Sequence, residues 1–212
     1  MRSIRVTLLS NYMLSPVYLA DELGFFREAG IELVIHPVSA SSQMIPLLAA
    51  GAVDVAFSEP MPSMLNAFAK GARVKVVCAR EIAIPGCIHE IHGNRSSFPL
   101  GFHNSKELKG KRVSVTAPTS LSAFLLDLLL ESAGLHTGDV RLLTMPLSES
   151  GPALAAGKID AVVDRDMGLS SAEIVAGPSV ADLIPGLQYN YVLFGDALLR
   201  DNISTGAAFL RA

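Results

Sequence analysis

Residues 47–57 read LLAAGAVDVAF, and residues 153–163 read ALAAGKIDAVV. Leu-Ala-Ala-Gly, two residues, an Asp and an apolar run are written twice, 106 residues apart. Each copy predicts the same corner. The Leu and Ala residues bury the last turn of a helix, and the Gly turns the chain. The Asp then begins a strand whose apolar residues are buried on both faces. The period is far too long for a solenoid. It predicts two similar domains of about 80–100 residues each.

The surroundings of the two copies agree. Residues 4–9, IRVTLL, read as a strand. Ser15 is an N-cap and Pro16 suits the first helical position. Val17, Leu19, Ala20, Leu23 and Phe26 then keep a helical period until Gly30. Residues 31–38 form a second strand, and a polar loop enters a helix stopped by Gly51. Residues 53–58 give a third strand, 62–71 a helix closed by Gly71, and 74–79 a fourth strand. The order restarts with a strand at 111–117, a helix from Ser/Thr residues to Gly134, a strand at 139–145, a helix ended by Gly157 and a strand at 159–164. Between the two series, residues 82–109 show no clear periodicity apart from a short helical turn near 105–110. Residues 189–195, YNYVLFG, read as a strand that crosses back to the first series. The expectation is an α/β fold of two similar lobes with mainly parallel sheets flanked by helices, joined by two crossovers. Lobe 1 is placed at residues 1–82 plus 193–212 and lobe 2 at 83–192.

Composition narrows the function. The chain has 212 residues, half hydrophobic and 17% charged, with a formal net charge of −3. That length buries one large core or two small ones. The densest basic stretch, residues 106–112, also contains Glu107, which argues against a nucleic-acid partner. No apolar run reaches membrane-spanning length. The N-terminus has two arginines and then too short an apolar stretch for a signal peptide. Cys78 and Cys87 flank AREIAIPG and read as two free, buried thiols. His89, His92 and His103 read as surface groups, and no metal set is expected. Walker, Gly-x-Ser-x-Gly, His-Glu-x-x-His and Gly-x-Gly-x-x-Gly motifs are all absent, and neither a catalytic residue nor a cofactor is expected.

In open parallel sheets, ligands sit at the strand carboxyl ends. Here those ends are SNYMLS from Ser10, SASSQ from Ser39, SEP from Ser58, APTSLS, PLSES, and the triplet Asp164, Arg165, Asp166. Five of the six are dense in Ser or Thr, and most open onto a helix N-terminus. Unpaired N–H groups and hydroxyls there suit a small anionic or polar ligand. Each serine taken alone also reads as a plain helix cap. Arg165 suits a carboxylate or sulfonate, whereas Glu59 and Asp164 favour an amine or ring N–H. Solvated charges are the alternative. Arg80 and Glu81 read either as hinge or cleft residues or as a surface pair. Through the repeat, Ser58–Glu59 and Asp164–Arg165 are expected to face each other across a cleft.

Residues 15–35, SPVYLADELGFFREAGIELVI, with LLAAGAVDVAFSEP and AFAKGARVKVVCA, resemble the solute-binding proteins of ABC importers for nitrate, sulfonates, taurine and thiamine precursors. Residues 106–135 and the second repeat copy match the family's second lobe. The resemblance implies the type II periplasmic-binding-protein fold, a small-molecule ligand, permease and ATPase partners, and a membrane reached only through the permease. It implies ligand contacts at Asn11, Tyr12, Ser39, Ser41, Ser42, Glu59, Thr119, Ser120 and Asp164 or Arg165. It also implies a periplasmic or other extracytoplasmic location, while the N-terminus leaves a cytoplasmic one open. The chain departs from the family at Asp164–Arg165–Asp166, where an aromatic-Glu-Pro is usual, and its C-terminal part is expected to be short. The expected function is solute binding. The alternatives are an enzyme on the same fold, of desulfinase or pyrimidine-synthesis type, and a cytoplasmic ligand sensor.

Overall fold

A computed structural model describes residues 1–9, 15–38, 43–85, 90–163 and 171–212. The first series runs β1 (Arg2–Leu9), α1 (Ser15–Glu22), α2 (Phe25–Glu28), β2 (Ile31–Val38), α3 (Met44–Ala49), β3 (Val55–Ser58), α4 (Pro62–Ala69) and β4 (Val74–Ile82). The second runs β5 (Ile91–Asn94), β6 (Arg112–Val115), α5 (Leu121–Ser132), β7 (Arg141–Thr144), α6 (Leu147–Ala155), β8 (Ala161–Val163) and β9 (Ile174–Ala176). The chain ends with β10 (Gln188–Gly195) and α7 (Ile203–Arg211). Two units result: Met1–Ile82 with Gln188–Ala212, and Ala83–Leu187. The second boundary falls where β10 begins, five residues before the expected 192/193, because Gln188 already pairs with Ile82.

Both sheets have one topology. In unit 1 the order is β2-β1-β3-β10-β4, and in unit 2 it is β7-β6-β8-β5-β9. The first three strands of each sheet are parallel. The fourth position is an antiparallel strand wedged against the edge strand. In unit 1 this separates β4 from β3, so the sheets are mixed rather than a simple parallel series.

Strand alternation splits the unit 1 core over two faces. Ile4, Val6, Leu8, Val192 and Phe194 pack with Val17 of α1, Phe26 of α2 and Phe209 of α7. Ala56 and Leu193 pack the other way, with Met44, Ile45 and Leu48 of α3 and Met64 of α4. In unit 2, Leu121, Leu125, Leu126, Leu129 and Leu130 of α5 are buried, each burial contributing about 2 kcal/mol.

The repeated corner is duplicated bond for bond. After α3, Ala52 N–H reaches Leu47 O at 2.9 Å and Gly51 N–H reaches Leu48 O at 3.1 Å. After α6, Lys158 N–H reaches Ala153 O at 2.9 Å and Gly157 N–H reaches Leu154 O at 3.0 Å. These are paired 6→1 and 5→2 closures, and Gly51 and Gly157 supply the positive φ they need (68° and 67°). The Asp that follows lies just before the strand and grips the neighbouring parallel strand, β1 in unit 1 and β6 in unit 2. Asp54 Oδ2 accepts from Arg5 N–H (2.9 Å) and Nε (3.0 Å), and Oδ1 accepts from Nη2 (2.8 Å). Asp160 binds Arg112 through the same three atoms at 2.8, 3.0 and 2.8 Å. The Arg112 guanidinium holds the Asp160 carboxyl well below the usual carboxylate range, aided by the Ser97 hydroxyl.

Several expectations fail for physical reasons. The single helix expected up to Gly30 is broken at Gly24, which is left-handed at φ 83°. Leu19 and Leu23, expected on its buried stripe, are exposed. Residues 82–109 hold a strand, β5, inside the sheet. It was illegible because IHGN lacks a strand-like run. Gly93 is there because Phe98 and Phe102, stacked at 4.1 Å, lie on it, and a Cβ would come within 2.5 Å of Phe98 Cδ2. The turn at Ser105–Leu108 is capped by Asn104, whose side chain accepts from Lys106 N–H at 2.8 Å. Cys78 is free as expected, but exposed on β4 rather than buried. Cys87 lies outside the described residues.

Asp54→Ala strips a charged acceptor from three donors of Arg5, and Asp160→Ala strips one from three donors of Arg112 and the Ser97 hydroxyl. In urea unfolding each is expected to cost on the order of 2 kcal/mol. The Asp160 carboxyl is lowered on folding, so its contribution is full above the unfolded value of about 3.9 and lost as pH falls through the lower folded value. The stability gap between wild type and Asp160→Asn should therefore be constant at neutral pH and narrow below about pH 4. Gly93→Ala should lower stability by roughly 1–3 kcal/mol through overpacking against Phe98.

Candidate functional site

In unit 1, β3 delivers Phe57 and Ser58 to the carboxyl end of the sheet, with Glu59 next. Ser58 is fully buried, and its hydroxyl donates to Glu59 O at 3.2 Å. It lies opposite Tyr191 of β10, with Phe57 opposite Val192. Glu59 is half-buried. Ser10, Asn11, Tyr12, Ser39, Ser41 and Ser42 lie outside the described residues.

An additional cationic group arrives here from β4. The β10–β4 register pairs Tyr191 with Ala79 and Asn190 with Glu81, which leaves Arg80 as an extra residue in a bulge. Bulges re-aim side chains near functional sites. Arg80 Cζ sits 5.2 Å from the centre of the Phe57 ring, a cation–π distance. Arg80 thus stands on the residue that precedes Ser58 and Glu59. On β10, the side-chain oxygens Gln188 Oε1 and Asn190 Oδ1 are buried with no hydrogen-bond donor among the described residues. Neither residue was singled out from the sequence. The signal was available: Gln188 and Asn190 are polar and two apart in a strand that continues as YVLF.

In unit 2, the carboxyl end of β6 meets the N-terminus of α5. Ser120 is its N-cap. The Ser120 hydroxyl donates to Ala117 O at 2.6 Å and accepts from Ala123 N–H at 3.3 Å. It also lies 2.8 Å from Ser122 Oγ, which is 3.0 Å from Thr116 Oγ1. This serine is therefore a helix cap tied into a local hydroxyl chain. Thr119 beside it is exposed. Asp164 and Arg165 lie outside the described residues, so the expected pairing with Ser58–Glu59 has no structural description.

Two buried hydroxyls recur at matching positions. Thr7 follows Arg5 by two residues on β1, as Ser114 follows Arg112 on β6, and both are 0% exposed. Among the described residues, Thr7 Oγ1 and Ser114 Oγ have no hydrogen-bond partner. Among the other candidates, His92 is half-buried on β5 rather than a surface group, and His103 is exposed, with Nε2 2.9 Å from Leu100 O. His89 lies outside the described residues. Among the described residues no group of three or more His, Cys, Asp or Glu side chains is placed to hold a metal, and no helix is long and apolar enough to cross a membrane. A cavity of about 470 Å³ in unit 1 is lined by Leu48, Gly51, Asp54, Arg73 and Asp196. It lies at the opposite end of the sheet from Ser58, by the amino end of β3.

The fold defines a class: two α/β units of one topology, crossed by the chain twice, as in periplasmic binding proteins. The NMT1/THI5-like family model matches residues 11–199, and the chain belongs to that family. Its structure is similar to the alkanesulfonate-binding protein of Xanthomonas axonopodis pv. citri bound to MOPS, with TM-score 0.72 and 22% identity over all of this chain and 70% of that one. It is similar to the periplasmic aliphatic sulphonate-binding protein of Escherichia coli, with TM-score 0.75 and 19% identity over 100% and 69% of the two chains. The periplasmic nitrate-binding protein of Synechocystis PCC 6803 matches with TM-score 0.71 and 12% identity over 99% and 60%. These likenesses establish the fold. A search of curated proteins found no match.

Because Ser120 caps α5, Ser120→Ala should cost about 1 kcal/mol in urea unfolding without solute.

Proposed function

We propose that this protein is the solute-binding component of an ABC importer, taking a small polar or anionic solute at the strand carboxyl ends. The observation that carries this reading is the family match across residues 11–199, joined to a fold shared with sulfonate- and nitrate-binding proteins. The polar groups at the carboxyl end of the unit 1 sheet support it. Ser58 and Glu59 on β3 stand beside a guanidinium seated on Phe57. An Arg fork is well matched to a planar or tetrahedral oxyanion. The remaining proposed contacts are Ser10, Asn11, Tyr12, Ser39, Ser41, Ser42, Thr119, Ser120, Asp164 and Arg165. A permease and an ATPase would be the partners, and the working location would be extracytoplasmic. The solute is bound and released without a bond being made or broken.

A thermal-shift screen over alkanesulfonates, nitrate, carboxylates, aminopyrimidines and aromatic acids tests this. A solute at a hundred times its Kd stabilises the folded state by about 2.7 kcal/mol, which raises Tm by roughly 5 °C or more at this chain length. The solute should be recovered chemically unchanged by mass spectrometry after hours with the protein. Turnover of a stabilising solute would instead make the protein an enzyme.

A further inference from the structure

The two edges of the unit 1 sheet are built differently. On β4, the pairing with β10 shifts register at three places, and Lys75 and Arg80 interrupt the apolar run. Bulges and cations of this kind blunt an edge against further pairing. On β2, Ile31 to Val38 pair one for one with Arg2 to Leu9, without a bulge. No strand lies on its outer side among the described residues.

One bond fixes which main-chain groups of β2 are open. Arg2 N–H donates to Gly30 O at 2.8 Å, so the Gly30 carbonyl points at β1. Successive residues of a strand turn their main-chain groups to alternate sides. Glu32, Val34 and His36 therefore bond β1, and Ile31, Leu33, Ile35 and Pro37 turn outward. Pro37 fits, because an outward position asks no N–H of it. Ile31, Leu33 and Ile35 each present a donor and an acceptor to the edge. Their side chains lie on the core face, where Leu33 and Ile35 are half-buried at the margin of the cluster around Val6 and Phe209. Glu32, Val34 and His36 form the other face and are exposed.

This strand is complementary to itself. When two copies lie antiparallel with Val34 opposite Val34, every outward residue meets an outward residue. Leu33 and Ile35 exchange both main-chain bonds with Ile35 and Leu33 of the second copy, and Ile31 N–H reaches Pro37 O. On the exposed face, Glu32 lies opposite His36 of the second copy, once at each end of the pairing. On the core face, Leu33 covers Ile35 and Ile35 covers Leu33, which closes the margin of both cores. Sliding one copy by two residues sets Glu32 opposite Val34 or Val38 and loses the acid–imidazole pairs. We propose that β2 is a homodimer interface, joining the five-stranded unit 1 sheets of two copies into one continuous sheet about a two-fold axis at Val34.

Sedimentation of the full chain over about 5–500 μM should show a reversible monomer–dimer equilibrium, as suits a small interface. Glu32→Lys should weaken it about tenfold, since both cross-strand pairs become unfavourable, and adding His36→Glu should restore it to within about threefold. Ile35→Pro removes an outward N–H that β1 does not use, and should abolish the dimer while circular dichroism shows a folded chain. Val34→Cys, with Cys78 and Cys87 replaced by Ser, should cross-link under mild oxidation, because Cα atoms of such a facing pair lie about 4.5 Å apart. Glu32→Cys in the same background should not. A chain that stays monomeric throughout the range overturns the proposal. So does a dimer that survives Ile35→Pro, a Glu32→Lys variant that associates like the wild type, or cross-linking at position 34 no better than at 32. Should Ile35→Pro fail to fold, the cysteine pair decides alone. None of these residues is among the proposed solute contacts, so solute binding and self-association can fail separately.

Discussion

An arginine on one parallel strand in each unit, β1 or β6, closes a three-point grip on an aspartate just ahead of the parallel strand beside it, β3 or β8. Much of the architecture follows from that contact. The carboxylate takes the backbone N–H and two guanidinium N–H groups of the same residue, Arg5 or Arg112. It fixes register as well as adjacency, since a shift of one residue would turn the arginine to the other face. The backbone completes the joint. Asp54 N–H donates to Arg5 O at 2.8 Å, and Asp160 N–H donates to Arg112 O at 2.9 Å. The aspartate carbonyls then accept from the inserted antiparallel strands, from Gly195 N–H at 3.0 Å and Asn94 N–H at 2.8 Å. One residue thus ties three neighbouring strands together at the amino end of each sheet. The carboxyl end is left to polar side chains and loops.

This division of labour explains what could be read from the sequence. The helix–glycine–strand corner is local, and its signals lie within eleven residues, so both copies were legible as fold. The aspartate's role was not, because Arg5 is 49 residues away and nothing in IRVTLL marks it as a partner. The inserted strands were harder. Tyr189 to Gly195 looked strand-like because Tyr191, Val192, Leu193 and Phe194 are apolar and β-forming. The counterpart IHGN hid, since its glycine answers a distant pair of phenylalanines.

The site was legible at the level of location more than of chemistry. Ser58 and Glu59 do stand at the carboxyl end of β3. Ser120, from the same argument, uses its hydroxyl to cap α5. The Ser/Thr density of the loops therefore conflated two uses of one side chain. Arg80 acquires its place through a register shift between strands more than a hundred residues apart, which no local pattern encodes. Asn190 and Gln188 were passed over because polar residues in a strand usually face water, whereas here their oxygens are covered.

The inserted strands differ in where they come from. β5 lies within the continuous stretch Ala83–Leu187, so unit 2 holds all of its own strands. Unit 1 has to wait for β10, whose Val192, Leu193 and Phe194 supply both of its cores. On a ribosome, residues 1–82 therefore emerge before residues 83–187, yet their unit is completed after the other. Residues 1–82 must stay unaggregated, with a gap at the fourth position of their sheet, while the later unit closes. The order of synthesis and the order of completion run in opposite directions along this chain.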